Sequence, residues 1–356
     1  MKKVRRAFSV VLITALTLAL SGILLFYLLI VFGLSPILQT LWICSSMHTM
    51  SHHYLSTMFF TDEYIEEVLE ENAINDEYKN SDILVFDERP PDEPDDTSEN
   101  GGTSSSDEEP DPYIEEGYTK LEDGLYRKDI RDIIWRGNIL LVTDPKRLRV
   151  VDTAQQFVCG ETVRMMIDRV GGIAGINGGA FNDGENYDSN GGTPKGLLIE
   201  DGSLVFPKSP DDKEVYHMIG LNADGALILR HCTAQWALEN GIVGCVTFSP
   251  FLIVNGEGLV KEGTGGWGIA SRTAIGQRET GEIILLVIDG RQPEWSLGCD
   301  LDVVQEVLLN EKVYNAALLD GGSSTTMIYR DEYVNQPSLG HERYINNCFV
   351  VMPAEN

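Results

Sequence analysis

The sequence predicts an α+β fold: one folded domain with a mixed β-sheet and a few helices, which follows a transmembrane helix and a disordered acidic linker. Three observations carry this prediction. Residues 7–34 contain no charged side chain, and residues 87–112 are rich in Asp, Glu, Pro, Gly and Ser. From residue 113 onward, short apolar runs alternate with glycine-containing turns and few helical patterns intervene, which is typical of the α+β class.

The apolar run at residues 7–34 is long enough to cross a bilayer, since roughly 20 apolar residues suffice. Four basic residues precede it: Lys2, Lys3, Arg5 and Arg6. Because such clusters stay in the cytoplasm, the pattern predicts a cytoplasmic tail at residues 1–6, a single pass through the cell membrane, and an extracellular domain. A cleaved signal peptide is the alternative, although its apolar region is normally about 7–15 residues long.

Two segments separate the apolar run from the domain. Residues 35–86 are predicted to be a helical juxtamembrane segment, in which Thr61 is a candidate N-cap before an acidic first turn. Residues 87–112 are predicted to be a disordered linker, because they have too few apolar side chains to offset chain entropy.

The formal net charge of −28 belongs mainly to these two segments. Residues 62–116 hold 22 acidic residues and only two basic ones, Lys79 and Arg89. The charge therefore says little about the ligand of the domain, but it argues against nucleic acid, which needs a basic surface. The six cysteines form no Cys-x-x-Cys pair, so no zinc knuckle is predicted, and a Cys232–Cys245 disulfide stays open.

Residues 113–356 form the predicted domain, and its elements follow one another with short connections. Strand patterns lie at residues 139–143, 148–151, 173–176, 283–288 and 316–319. Helical patterns lie at residues 161–170 and 300–309. Residues 197–205 and 219–229 each predict a hairpin around an Asp-Gly turn.

Three buried strands end in a polar residue followed by glycine, which is how a rigid sheet presents a group to a cleft. These ends are Asn177-Gly178-Gly179, Asp289-Gly290-Arg291 and Asp320-Gly321-Gly322-Ser323-Ser324-Thr325-Thr326. Glycine lets the backbone turn and approach a ligand closely. The last end is a candidate anion-binding nest. An ordinary Asp-Gly turn is the alternative at each end.

A basic residue, Arg272, opens a strand that is otherwise apolar and continues through Thr273 to Gly276. An arginine in this position is a candidate bidentate partner for a phosphate or a carboxylate. A surface arginine without a ligand is the alternative.

Taken together, these motifs resemble the phosphodiester glycosidase family, the N-acetylglucosamine-1-phosphodiester alpha-N-acetylglucosaminidase-like domains with exopolysaccharide-associated members in bacteria. The matching pieces run in the family's order from about residue 121 to the C-terminus. They are residues 177–181, 191–196, 250–256, 272–276, 289–291, 320–326 and 334–338, followed by Arg343 and Asn346. Ala180 departs from the pattern, since an aromatic residue is common there, and residues 182–190 look like a local elaboration.

The resemblance implies a hydrolase that releases a sugar from a sugar-1-phosphodiester, with a phosphosugar or polysaccharide as its substrate. We interpret Asp289 and Asp320 as the catalytic carboxylates, without assigning base and nucleophile. Arg272 with Thr273, Arg343 and the backbone of residues 321–325 are interpreted as the phosphate site. Asn177, with Gly178 and Gly179, is expected to contact the sugar or to orient water. A phosphate leaving group needs anion stabilisation more than protonation, which suits such a site.

Other candidates are weaker. Residues 182–190 offer oxygen ligands that suit calcium, but their spacing matches no EF-hand and a solvated loop is the alternative. His217, His231 and His341 share no spacing, so no metal ligand and no cofactor is predicted. Glu294 and Trp295 are candidates for a sugar subsite, and Trp295 is equally an ordinary core residue.

Two further functions stay open at this point. A non-catalytic module for polysaccharide binding, export or attachment would use the same groups without turnover. A transglycosylase would pass the sugar to an acceptor in place of water. The sequence assigns neither the sugar and its anomer nor the oligomeric state.

Overall fold

The structure is a computed structural model that describes residues 2–49, 52–74, 76, 79–86, 111–184, 189–261 and 265–354. The chain divides into two compact units. The first, the N-terminal unit, comprises Met1–Ile74, Val260–Ile269 and Asp300–Asp302, and the second, the sheet unit, comprises Asn75–Leu259, Ala270–Cys299 and Val303–Asn356. The predicted linker lies almost wholly outside the described residues, so the domain boundaries stay predictions.

The N-terminal unit begins with a long apolar helix. The helices of this unit are α1 (Lys2–Phe26), α2 (Pro36–Met47), α3 (Tyr54–Thr57) and α4 (Asp62–Asn72), with a π-helical turn at Tyr27–Val31 between the first two. The stretch Arg6–Val31 is long and apolar enough to cross a membrane, and a signal sequence would pass the same test.

The helix predicted after Thr61 is confirmed as α4. The Thr61 hydroxyl accepts a hydrogen bond from the Tyr64 amide at 3.3 Å, which satisfies one of the unpaired donors of the first turn. Ile65 and Val68 of α4 are buried against Ile43 and Cys44 of α2, and these four residues form the core of the N-terminal unit. Cys44 therefore acts as a small buried apolar residue there.

Three antiparallel sheets make up the sheet unit, so the predicted α+β class is confirmed, with antiparallel pairing throughout the described strands. Across the first sheet the strands are, in order, β1 (Thr119–Glu122), β2 (Leu125–Arg131), β3 (Arg136–Val142), β14 (Ile283–Ile288), β13 (Arg272–Arg278), β15 (Val313–Leu319), β11 (Phe251–Val254) and β12 (Glu257–Gly258). Across the second they are β7 (Ser203–Phe206), β6 (Leu198–Glu200), β10 (Ile242–Thr247), β8 (Tyr216–Asn222) and β9 (Leu227–Cys232). Across the third they are β17 (Glu332–Tyr333), β16 (Met327–Tyr329), β5 (Ala174–Asn177), β18 (Asn347–Val351) and β4 (Leu148–Asp152).

Few helices accompany these sheets. They are α5 (Pro112–Glu115), α6 (Val163–Val170), α7 (Ala234–Glu239) and α8 (Leu301–Asn310), with 3₁₀ turns at Pro145–Arg147 and Gly322–Ser324. The strand and helix patterns recognised in the sequence all occur, and both predicted hairpins form, as β6–β7 and β8–β9.

The central strands of the first sheet are buried on both faces, which explains their continuous apolar character. All six residues of β14 are buried. In β13 the polar side chains on one face connect to the other sheets. Gln277 accepts from the Leu227 amide at 2.7 Å and donates to the Gly225 carbonyl at 3.0 Å, which links the first sheet to the β8–β9 hairpin. Cys232 and Cys245 are free and buried in the second sheet's core.

Candidate active site

The predicted strand ends meet where the first and third sheets join. Asn177, at the end of β5, is 1% exposed, and its side chain makes three hydrogen bonds. Its Oδ1 accepts from Thr273 Oγ1 at 2.9 Å and from the Thr326 amide at 3.1 Å, and its Nδ2 donates to the Asp320 carbonyl at 2.6 Å. Both ends of the amide are thus used within the protein. This arrangement supports a positioning role for Asn177, because it fixes where Asp320 lies.

The two glycines after Asn177 allow the sheets to approach closely. Gly178 donates to the Asn347 carbonyl at 3.0 Å, and Gly179 donates to Asn347 Oδ1 at 2.7 Å. A Cβ atom on Gly178 would lie 2.2 Å from Asn347 Oδ1, a distance at which the neighbour must move. Asp320 in turn donates its amide to the Gly178 carbonyl at 3.1 Å. Gly178 therefore links the backbone at Asp320 to Asn347 of β18.

The loop after Asp320 is compact. Gly322 donates to the Ser271 carbonyl at 2.9 Å, Ser324 to the Gly321 carbonyl at 3.1 Å, and Thr325 to the Gly322 carbonyl at 3.4 Å. Because these amides already have acceptors, the positive charge for an anion comes chiefly from side chains around the loop. Thr325 is fully buried, and its hydroxyl lies 3.3 Å from that of Thr273. A role for the loop backbone in phosphate binding stays a prediction.

Of the two predicted catalytic carboxyl groups, Asp320 has the environment better suited to acid–base or nucleophilic chemistry. Asp289 is almost wholly buried, whereas Asp320 is half-buried. Its surroundings nevertheless exclude most water, and burial raises the pKa of Asp320 to about 6. The Ser324 hydroxyl and the positive charges of Arg343 and Arg291 lower this pKa, whereas the negative charge of Asp183 raises it. An aspartate whose pKa is raised by burial and lowered by two nearby positive charges is a candidate catalytic group.

Arg291 and Arg343 are the cations that affect Asp320. Arg291 has a φ of 60°, the left-handed conformation that non-glycine residues seldom adopt. A Cβ on Gly322 would lie 3.1 Å from both terminal nitrogens of Arg291, so the guanidinium packs directly on the loop after Asp320. Burial lowers the pKa of Arg291, and the charge of Asp320 opposes that shift.

The Arg343 side chain, by contrast, is held from two sides. It forms an ion pair with Asp183, and its guanidinium carbon lies 5.0 Å from the centre of the Phe181 ring. Asp183 also accepts a hydrogen bond from the Ser189 hydroxyl at 3.0 Å. Arg343 was predicted from the sequence. Arg291 and Asp183 were not assigned a role in the site, although both lie within segments that the motifs had marked.

Asp289 differs from Asp320, because it is 1% exposed and its oxygens are already bonded. Oδ2 accepts from Trp295 Nε1 at 2.7 Å, and Oδ1 accepts from Asn335 Nδ2 at 2.9 Å and from the Gln336 amide at 3.0 Å. Burial raises the pKa of Asp289, while these hydrogen bonds oppose the rise. Asn335 also donates to the Thr325 carbonyl at 3.3 Å. Asp289 thus fits a positioning role, through Asn335, for the loop after Asp320.

The side chain of Arg272 points away from this cluster. It is buried, and its Nε donates to the Cys299 carbonyl at 3.1 Å. Because alternate residues of a strand face opposite sides of the sheet, Arg272 lies on the face opposite to Thr273, which contacts Asn177. Phosphate binding by Arg272 stays a prediction, and the cations brought to Asp320 are Arg291 and Arg343.

The remaining candidates are placed around this cluster. Trp295 is 42% exposed, its indole nitrogen bonds Asp289, and the Arg136 guanidinium carbon lies 4.4 Å from its ring centre. One face of the ring is therefore occupied by Arg136. Part of the predicted calcium loop, residues 185–188, lies outside the described residues. His341 is exposed on the sheet unit.

The chain is similar to known proteins in sequence and in fold. A sequence model of the phosphodiester glycosidase family matches residues 171–352, about half of the chain. N-acetylglucosamine-1-phosphodiester alpha-N-acetylglucosaminidase of Bos taurus is 30% identical over 136 residues, which cover 33% of this chain and 25% of that protein. The Mus musculus protein of the same name is 25% identical over 224 residues, which cover 57% of this chain and 41% of that protein. The chain thus spans less than half the length of these relatives.

A solved structure also resembles this chain. It is the zebrafish N-acetylglucosamine-1-phosphodiester alpha-N-acetylglucosaminidase catalytic domain, auto-inhibited by its pro-peptide. The TM-score is 0.53 and the sequence identity is 25%, and the match covers 65% of this chain and 82% of that one.

Proposed function

The chain belongs to the phosphodiester glycosidase family, and on this premise we propose that its sheet unit hydrolyses the bond between the anomeric carbon of a sugar and a phosphodiester. N-acetylglucosamine-1-phosphodiesters are the first candidate substrates, because the relatives are named for that linkage. The single observation that carries the proposal is the half-buried Asp320, whose pKa is raised to about 6 by burial while the charges of Arg291 and Arg343 lower it.

The chemistry follows from the charges. Water adds to the anomeric carbon, the bond from that carbon to the phosphate oxygen breaks, and a free sugar and a phosphomonoester leave. The leaving phosphate has a second pKa of about 6, so it departs as an anion and needs cations more than a proton donor. Arg291 and Arg343 supply those cations, and Asp320 supplies the carboxylate that activates water or bonds the anomeric carbon.

Turnover is the direct test. We expect the purified full chain in detergent to release free N-acetylglucosamine from the methyl diester of N-acetylglucosamine-1-phosphate, as followed by NMR of the sugar's anomeric proton. The anomer first formed distinguishes a nucleophilic Asp320, which retains configuration, from a general base, which inverts it. Binding of the diester without release would instead favour the non-catalytic module. Transfer of the sugar to an added alcohol in preference to water would favour a transglycosylase.

We also propose that Arg6–Val31 anchors the chain in the cell membrane with the sheet unit outside, where cell-surface or exopolysaccharide polymers are the substrates. The basic residues at the N-terminal end of the helix support this orientation. We expect a C-terminal epitope to be labelled on intact cells, and the chain to stay in the membrane fraction after a carbonate wash. A mature N-terminus beyond residue 34 would show cleavage of a signal peptide and would contradict the anchor.

A further inference from the structure

A second cluster of ionisable side chains lies in the sheet unit, apart from Asp320 and its arginines. His217 of β8 and His231 of β9 are direct cross-strand partners, so their side chains share one face of the hairpin. Their ring centres are 4.2 Å apart. Asp76, which lies far earlier in the chain, places its carboxylate against both rings.

The distances between these groups fit a metal centre. His217 Nδ1 lies 3.6 Å from Asp76 Oδ2, and His231 Nε2 lies 3.9 Å from Asp76 Oδ1. One ligand atom from each of the three residues lies within 4.8 Å of the others. Tetrahedral zinc with bonds of about 2.0–2.1 Å separates its ligand atoms by about 3.3 Å. Small rotations of the two rings would therefore close the site on an ion, whereas the present distances exceed those of hydrogen bonds.

The surroundings also fit a built site. Asp76 is 5% exposed, and its Oδ2 accepts the Phe251 amide at 2.8 Å, a contact that orients the carboxylate as an outer-shell partner does. The Phe251 ring lies 5.8 Å from the His217 ring and 5.1 Å from the His231 ring, which shields one side from water. Among the described residues, His217 Nδ1 is buried without a hydrogen-bond partner, a cost that a bound cation would remove.

We propose that Asp76, His217 and His231 bind one divalent transition-metal ion, Zn²⁺ in the first instance. Two imidazoles and one carboxylate suit zinc far better than calcium or magnesium, which prefer all-oxygen sites. Three protein ligands leave a fourth position for water.

A metal ion at this site would link Asp76 to the second sheet. Asn80 and Ser81 already bond β9: Ser81 donates its amide to the Leu229 carbonyl at 2.9 Å, and Asn80 Oδ1 accepts the His231 amide at 2.9 Å. A metal ion would add a bond from Asp76 to both strands of the hairpin. Since the three ligands come together only in the folded chain, the free energy of metal binding adds to the free energy of folding. Bound metal should therefore stabilise the contact of Asp76 with β8 and β9.

The test uses Co²⁺ as a spectroscopic substitute for Zn²⁺ with the full chain in detergent after chelator treatment. We expect one equivalent of Co²⁺ to give the visible band of a tetrahedral site, and Zn²⁺ to displace it. His217→Gln and His231→Gln should weaken this binding by at least about 100-fold, since even outer-shell changes cost 10–100-fold. His341→Gln, which changes an exposed histidine of the same unit, should bind like the wild type.

Hydrogen exchange supplies a second readout. Zn²⁺ should slow exchange of the Ser81 amide in the wild type and in His341→Gln but not in His217→Gln. A folded wild-type chain that gives no tetrahedral band would overturn the proposal, whatever the variants do. Equal Co²⁺ stoichiometry and affinity in wild type and His217→Gln would overturn it as well.

Discussion

Asp320→Asn is expected to lower kcat/KM on a sugar-1-phosphodiester by about 10²–10⁴-fold, the usual contribution of a positioned acid–base group. The amide keeps the size of the side chain, and the backbone bonds of residue 320 to Gly178 and Asn177 remain. The loss should therefore come from the chemistry of the carboxyl group. Steady-state kinetics measures it, with Asp168→Asn, a change of an exposed aspartate on α6, as the matched control.

The pH profile identifies the reacting form of Asp320. Because the phosphate leaves without much protonation, the ionised carboxylate should be the active form. Since the pKa of Asp320 is raised to about 6, kcat/KM of the wild type should fall about tenfold per pH unit well below pH 6. This acidic limb should be absent from the residual activity of Asp320→Asn. A wild-type rate in this variant, or an unchanged acidic limb, would contradict the assignment.

Asp320→Asn should raise the thermal stability of the chain at neutral pH while it lowers the activity. A carboxyl group whose pKa rises from 3.8 to about 6 on folding binds its proton more tightly in the folded state. Stability is then lost as the pH rises between these values, and the penalty persists at neutral pH. Asp320→Asn should therefore melt at a higher temperature than the wild type at pH 7, and the difference should shrink at pH 4. Such a trade of stability for activity is common at functional sites.

Many of the strands could be predicted from the sequence because each of these is a local pattern. The hairpin around Asp224-Gly225 shows how much a local pattern can predict. The hairpin predicted at residues 219–229 is confirmed by β8 and β9, whereas the pairing of His217 with His231 just beyond it was not predicted and is seen only in the structure. The approach of Asp76 was not predictable, since no local pattern relates it to a hairpin about 140 residues later. The sequence therefore gave no reason to group Asp76, His217 and His231 as metal ligands.

The candidate site shows the same limit. Asp289 and Asp320 end similar strands with similar motifs, yet Asp289 is almost wholly buried and Asp320 is half-buried. The difference comes from Trp295 and Asn335, which cover Asp289 and depend on how distant loops pack. Arg291 lay within a recognised motif, but the direction of its side chain follows from a left-handed backbone that residue identity alone does not predict. Local patterns thus located the strand ends, and tertiary packing decided which groups face a ligand.

The two arginines beside Asp320 lead to the second large effect. Arg291→Gln is expected to lower kcat/KM by about 10–150-fold, because a hydrogen bond to a charged group contributes about 1.5–3 kcal/mol. Inhibition by inorganic phosphate should weaken by a similar factor if the guanidinium holds the phosphate. Arg343→Gln should do the same, with an added loss of order around Asp183, its ion-pair partner. Arg330→Gln, which removes a surface ion pair with Glu122, is the control and should leave both quantities unchanged.

Arg291→Gln and Asp183→Asn make opposite predictions for the pH profile, and this separates an electrostatic role from general damage to the site. Arg291 lowers the pKa of Asp320, so the acidic limb of kcat/KM should move to higher pH in Arg291→Gln. Asp183 raises that pKa, so Asp183→Asn should move the limb to lower pH. General loosening of the loop would admit water and move both variants in one direction, towards an ordinary aspartate. Opposite shifts would therefore place both charges at Asp320, and shifts of the same sign would reject the two-arginine phosphate site.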